Sequence, residues 1–204
     1  MIDRIQKYFD SSVTYWMQQD TPRRRELIAN SLPDWFDDIG GKLLDIGCGT
    51  GIASSVMVEQ GYEPTNIICI DISEKMLEAS RKNIPNANFI LAQSEHLPMK
   101  DNSIRKTIIF DAIPHMDISR TISELSRVMM SRGELVILHD NCHYRINEIH
   151  NRISDDFAEH KLPPIYSLVE KLREYDFSPI KFCEIPNEIY LILAERKISD
   201  ERKI

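Results

Sequence analysis

Apolar residues along the chain recur in two alternating patterns, short runs rich in Ile, Val and Leu and longer stretches with helical spacing. Such alternation predicts an α/β fold with a parallel sheet. A first strand is expected over Lys42 to Asp45, then a glycine-rich turn and a helix from Ile52 to about Gln60, with Gly61 as its stop. Asn66 to Asp71 is nearly all apolar, as a strand covered on both faces should be. Ser73 is placed to cap a helix running to about Lys82, with Asn83 and Pro85 ending it. Asn88 to Ala92 and Lys106 to Phe110 read as the third and fourth strands. A helix from about Ser119 to Met130 leads to a fifth, Glu134 to Leu138.

The pattern then changes. Tyr144 to His160 and Pro164 to Tyr175 read as helices, and Ile180 to Glu184 with Ile189 to Ala194 as a terminal antiparallel hairpin. The first forty residues look helical and amphipathic, broken at Thr21-Pro22 and Leu32-Pro33. The expected architecture is therefore α/β: a doubly wound, seven-stranded, mostly parallel sheet with a C-terminal antiparallel hairpin. Residues 1–204 form one domain in this reading, with 1–35 and about 141–178 as helical segments over the site.

Composition narrows the function classes. With 204 residues, 42% hydrophobic and 28% charged, the chain is that of a globular protein with a real core. A formal net charge of -7 argues against a domain living on nucleic-acid phosphates. No apolar run is long enough for a bilayer, and the first ten residues do not resemble a signal peptide, so the cytoplasm is expected. The four cysteines have no paired spacing and are expected as reduced thiols.

The chemistry is concentrated in Leu43-Leu44-Asp45-Ile46-Gly47-Cys48-Gly49-Thr50-Gly51. Glycines here permit a tight strand-to-helix turn and close approach of a ligand to the main chain. A dinucleotide-binding turn would carry a further glycine where this chain has Ile52, which disfavours a dehydrogenase. Asp45 precedes the turn, where a carboxylate offers nothing to a pyrophosphate but suits an ammonium and a sulfonium. Asp71, ending the second strand, is placed to accept the two hydroxyls of a ribose. Together these residues ask for an adenosyl group joined to a cationic amino acid.

From about Lys42 to Asp140 the chain resembles the class I S-adenosylmethionine-dependent methyltransferases, and it is especially similar to the broad group that includes the ubiquinone and menaquinone methyltransferases. The resemblance implies S-adenosylmethionine as cofactor. It implies that Asp45 orders the methionine end while Gly47, Cys48, Gly49 and Gly51 let it pass. Asp71 then binds ribose, and Ile72 with Met76 packs on adenine. Ala92 to Pro98 resembles the loop closing over adenine, which brings in Gln93, Ser94 and Glu95. Phe110 and Asp111 follow the fourth strand at the cofactor. Ser126 to Met130 with Gly133 resembles the stretch before the fifth strand. Gln93, Arg105 and Ser131-Arg132 depart from the family's usual Asp, Asp and Pro-Gly.

His115 stands where the family often has a histidine facing the cofactor, either shaping the pocket or acting as general base. His139-Asp140 is a poor base-and-orienter pair, because adjacent strand residues point to opposite faces. His139, Cys142, His143 and His150 lack the regular spacing of a zinc site, so no metal is expected. Tyr8, Phe9, Tyr15 and Trp16 are expected to cover the site. The function implied is methyl transfer to a small-molecule acceptor. The alternatives are an RNA or protein methyltransferase, or a non-catalytic module that binds S-adenosylmethionine.

Overall fold

A computed structural model describes residues 2–32, 40–153 and 159–198. Two helices lead, α1 (Ile2–Gln18) and α2 (Pro22–Ser31). There follow β1 (Leu43–Ile46), α3 (Ile52–Glu59), β2 (Ile67–Asp71), α4 (Glu74–Asn83), β3 (Asn88–Leu91) and β4 (Ile104–Phe110). Then come α5 (Ile118–Val128), β5 (Met129–His139), α6 (His143–Ile153), α7 (Ile165–Glu174), β6 (Phe177–Ile185) and β7 (Ile189–Arg196). The strands form one sheet in the order β3-β2-β1-β4-β5-β7-β6. β7 runs antiparallel to both neighbours and the other pairs are parallel. This is the expected doubly wound sheet with its terminal hairpin.

Alternation along each strand sends neighbouring residues to opposite faces. Leu44 and Ile46 of β1 pack with Leu125 of α5 and Leu168 of α7. Leu43 of β1 and Ile108 of β4 pack instead with Ile28 of α2, Val56 of α3 and Leu77 of α4. Each such side chain, wholly buried, contributes roughly 2 kcal/mol. The winding starts at β1, moves outward to β3, and returns to β4. The carboxyl ends of β1 and β4 therefore flank the switch point where open α/β sheets bind ligands.

Local signals account for the helix starts. Thr21 accepts a hydrogen bond from the Arg24 N–H at 3.4 Å, with Pro22 in the first turn of α2. Ser73 caps α4 through the Met76 N–H at 3.1 Å.

Three boundaries differ from expectation. α5 ends at Val128 and β5 begins at Met129, not at Glu134. The cause is a bulge: pairing with β4 jumps from Ile104–Met129 to Lys106–Glu134, leaving 130–133 looped out of the ladder. Arg132 there has φ +60°. β6 runs through Pro179, which an edge strand tolerates, with a register shift beside it. α6 is described to Ile153; the expected continuation over 154–158, like residues 33–39, lies outside the described residues. Among the described residues, no helix is long and apolar enough to cross a membrane.

Candidate active site

The turn after β1 is pinned to β2. The Gly47 and Cys48 N–H groups both donate to the Ile70 carbonyl, at 2.8 and 3.0 Å. Gly49 has φ +54° and its N–H donates to Asp71 Oδ2 at 2.9 Å. A Cβ on Gly49 would meet nothing within 4 Å, so the main chain there stands open to a ligand. Gly51 has a different task. Its φ is +89°, and a Cβ would sit 2.5 Å from Ser80 Oγ and 2.8 Å from Ile84 Cδ1. It lets α3 meet α4 and, unlike the other residues expected at the cofactor, does not line the cavity.

Two acids flank this turn. Asp45 is 1% exposed; its Oδ2 accepts from Ser54 Oγ at 2.6 Å, and its Oδ1 is buried without a hydrogen-bond partner among the described residues. Asp71 is 8% exposed and its Oδ1 accepts from the Ser73 N–H at 2.9 Å. Burial pushes Asp45 up to about 6, with Ser54 opposing and the charge of Asp71 adding to the rise. Burial likewise pushes Asp71 up to about 6 against the backbone donors of Ser73 and Gly49. Neither forms an ion pair with a cationic side chain among the described residues.

Both acids line a cleft with about 1040 Å³ of empty space. Gly47, Cys48 and Gly49 form part of its floor, and Ile72, Met76 and Phe110 line it as well. Gln93, Ser94 and Glu95 form one wall. Ser94 and Thr121 hydroxyls lie 2.8 Å apart, and Glu95 Oε1 accepts from the Asp117 N–H at 2.8 Å, tying that loop to the start of α5. Arg127 braces the chain just beyond it by donating to the carbonyls of Leu97 and Met99.

α1 roofs the cleft with Ile5, Phe9 and Trp16. Its Asp10 accepts from Ser73 Oγ at 2.6 Å, which fastens the helix to the cap of α4. Tyr15, expected to cover the site, is 53% exposed and outside the lining, as is Tyr8; they stand on other faces of α1.

Beyond β4 the arrangement is different in kind. Asp111 has φ +52°; its Oδ2 pairs with Arg24 of α2, and its Oδ1 lies 3.2 Å from His139 Nδ1 and 3.2 Å from the Asp140 N–H. Arg24 Nε is also 3.1 Å from Asp140 Oδ2, and the guanidinium lies 4.7 Å from the centre of the Phe110 ring. Burial alone would raise Asp111, but His139 and Arg24 outweigh it and hold the carboxyl below its ordinary range. Asp140 is pushed up to about 6, first by Asp111's charge and then by burial, against Arg24. His139 and Asp140 are not partners, as strand alternation requires; Asp111 is the group that orients His139. Arg24 is a cavity residue that sequence reasoning missed, and its proline-preceded helix start was the only signal nearby.

His115 lines the cleft, its ring centre 5.2 Å from Phe9, 4.8 Å from His150 and 5.4 Å from His160. Burial, reinforced by the neighbouring imidazoles, holds it well below the ordinary histidine range, so it is neutral at pH 7. His143 Nδ1 pairs with Glu184 at 2.6 Å, and Cys142 is buried. Among the described residues no group of three His, Cys, Asp or Glu side chains is placed to hold a metal ion.

Residues 44–137 match a family model described as a methyltransferase domain. The chain is 30% identical over 103 residues to an uncharacterized methyltransferase of Mycobacterium tuberculosis, covering 50% of this chain and 41% of that protein. It thus spans about two fifths of that relative's length. With the ubiquinone/menaquinone biosynthesis C-methyltransferase UbiE of Campylobacter jejuni it shares 27% identity over 168 residues, 79% of this chain and 68% of the relative. The crystal structure of an S-adenosylmethionine-dependent methyltransferase of Thermotoga maritima, a possible histamine N-methyltransferase, superposes with a TM-score of 0.72 at 18% identity, covering 93% of this chain and 98% of that one. Residues 44–137 are thus similar to a methyltransferase domain, and the fold is one that solved S-adenosylmethionine-dependent methyltransferases share.

Proposed function

We propose that this chain transfers the methyl group of S-adenosylmethionine to a small-molecule acceptor bound in the cleft at the carboxyl ends of β1, β2 and β4. One observation carries the reading: Asp45 and Asp71 are buried carboxylates beside an open glycine turn, with no cationic side chain paired to either among the described residues. The residues fit the cofactor. Asp45 Oδ1 is a buried acceptor without a hydrogen-bond partner among the described residues, suited to an ammonium. Asp71 Oδ2 and Oδ1 accept the Gly49 and Ser73 N–H groups, and the carboxyl has lone pairs left for the ribose hydroxyls. Ile72 and Met76 offer apolar surface to adenine, and Gln93 an amide to its amino group.

Bound there, the cofactor supplies a methyl group already activated by its sulfonium. What the chain adds is placement, which can supply much of the rate of such a displacement. His115, in the lining, is the side chain we assign to face the acceptor, as a neutral hydrogen-bonding group that shapes the pocket rather than as a strong base. Asp111 has both oxygens engaged, which supports a role in fixing Arg24 and His139 rather than in touching a reactant. A small-molecule acceptor is supported by the named activity of the UbiE relative and by the net charge of -7.

Titration calorimetry with S-adenosylmethionine and S-adenosylhomocysteine tests the cofactor reading. Heat is expected with the wild type and none with Asp71→Ala; silence with both ligands on the wild type refutes it. Incubation with methyl-tritiated S-adenosylmethionine and fractionated extract tests the acceptor. Label is expected in the small-molecule fraction, and label confined to RNA or protein gives the rival reading.

A further inference from the structure

We infer that the imidazoles of His115, His150 and His160 form a proton-sensitive latch, holding the end of α6 and residues 159–160 against the wall of the cleft at neutral pH and releasing them in acid. The inference goes beyond the methyltransferase reading and is independent of what the cleft binds.

The three rings meet from separate stretches of chain. His115, in the cleft lining after β4, has its ring centre 4.8 Å from that of His150 in α6 and 5.4 Å from that of His160, with the planes tilted by 43° and 38°. α6 depends on this contact. Of its eleven residues only His150 is buried; Ile146 is half-buried, and Tyr144, Ile149 and Ile153 are exposed. A surface helix is ordinarily held by an apolar stripe, and here the deepest side chain is titratable. The near end has other anchors. His143 Nδ1 lies 2.6 Å from Glu184, where a proton on the imidazole strengthens the pair. Asn147 exchanges hydrogen bonds of 2.8 and 2.9 Å with the main chain of Leu162, which is buried in the core. Beyond Asn147, His150 is the buried contact of the helix, and its Nδ1 lies 2.5 Å from the His160 carbonyl.

Protonation turns this contact into repulsion. A carbonyl can only accept, so Nδ1 of His150 carries the hydrogen and an added proton goes to Nε2 of a ring already against His115. Two imidazolium charges so close, in a poorly solvated site, repel strongly. The groups around them give little relief. His115 faces His139 of β5, His150 and His160, with Asp111 as the acid, and both oxygens of Asp111 are engaged by Arg24, His139 and the Asp140 N–H. α1 presents uncharged Phe9 to it. His150 faces His139, His160 and the cation of Lys161. Burial holds both His115 and His150 below the ordinary histidine range, outweighing the His160 carbonyl in the case of His150. At pH 7 these two rings are neutral and pack together.

The test follows amide hydrogen exchange of the ligand-free protein between pH 7.5 and about pH 5, read as protection factors so that the intrinsic pH dependence of exchange drops out. The closed form keeps its rings neutral, so the open form binds more protons and gains as pH falls below about 6.5. Protection of residues 149–153 should fall by about tenfold to a hundredfold over that range, up to one power of ten per pH unit for each ring that takes a proton on opening. α5 and β5 should keep theirs. His150→Asn retains a donor for the His160 carbonyl and cannot charge, so the fall should shrink to about threefold or less. Should that variant fail to fold, His160→Gln keeps the carbonyl, removes a half-buried ring, and should shrink the fall in the same direction. A fall shared equally by α5 and β5, a fall retained in full by either variant, or protection that does not vary with pH overturns the inference. So does an absence of protection in 149–153 at pH 7.5. The exchange needs no cofactor, so its failure leaves the methyltransferase reading untouched.

Discussion

Asp45 and Asp71, at the tips of β1 and β2, are buried against main-chain N–H groups and a hydroxyl, while Asp111, at the tip of β4, is buried against Arg24 and His139. Desolvation acts on all three acids, yet the first two rise to about 6 and the third is held low. The difference, among the described residues, is a cation paired on the second half of the sheet edge and none paired on the first. A protein can complete its own electrostatics where it needs a rigid wall. It can leave them incomplete where a charged ligand is to finish them. On that view the cofactor half is stabilised by what binds there, and the β4–β5 half is stable by itself.

The largest expected effect breaks the second half. Arg24→Met leaves Asp111 and Asp140 buried together without their cation, and chemical denaturation at pH 7 should show a loss of about 3–5 kcal/mol. Asp111 titrates below its unfolded value, so its contribution is present at neutral pH and fades as pH falls through the folded value. The deficit should therefore shrink toward acid, and adding Asp111→Asn should recover part of it. A deficit that does not vary with pH would show packing, not charge, to be the cause.

Next is Asp71→Ala, which removes the acceptor for the Gly49 and Ser73 N–H groups. Affinity for S-adenosylhomocysteine should drop by about a hundred- to a thousandfold in calorimetry. An affinity within about tenfold of the wild type would separate the turn from the ligand site.

Asp45→Asn sharpens the comparison through pH. The folded value of Asp45 lies above its unfolded one, so the group favours the fold when protonated and loses that advantage as pH rises from about 4 through about 6. The ligand-free variant should thus gain on the wild type between pH 5 and pH 8, by at most about 3 kcal/mol. Over the same range wild-type affinity for S-adenosylmethionine should rise more steeply than that of the variant, in which Asp71 still titrates. Parallel melting curves at both pH values would contradict the assignment.

The smallest effect is at Gly51, outside the lining. Gly51→Ala should cost about 1–2 kcal/mol through its positive φ and the contact with Ser80. The melting temperature should fall by roughly 3–8 °C. Affinity per folded molecule should hold, since a Cβ there would meet Ser80 and Ile84 and the residue is outside the lining; a lost affinity with normal melting would return it to the binding site.

These outcomes follow the line between what the chain shows locally and what only folding brings together. The glycine turn, Asp45 and Asp71 were legible because each is fixed by its own strand end and by a turn of a few residues. The strands at the centre of the sheet were legible because their faces are apolar throughout. Arg24 was not, because it meets Asp111 across 87 residues and nothing in the sequence of α2 marks it as a partner. His139 was placed next to Asp140 by the sequence and next to Asp111 by the fold. The early start of β5 escaped notice because Ser131, Arg132 and Gly133 read as a turn, and the bulge that contains them is defined only by pairing with β4.

The strand order has a consequence for how the chain is made. β7 lies between β5 and β6 although it follows both in sequence. While a ribosome is still adding the residues before 189, β5 presents a bare row of main-chain donors and acceptors that the finished molecule never shows. A nascent chain in that condition is open to pairing with a neighbour, and release from that hazard waits on the arrival of its final hairpin partner.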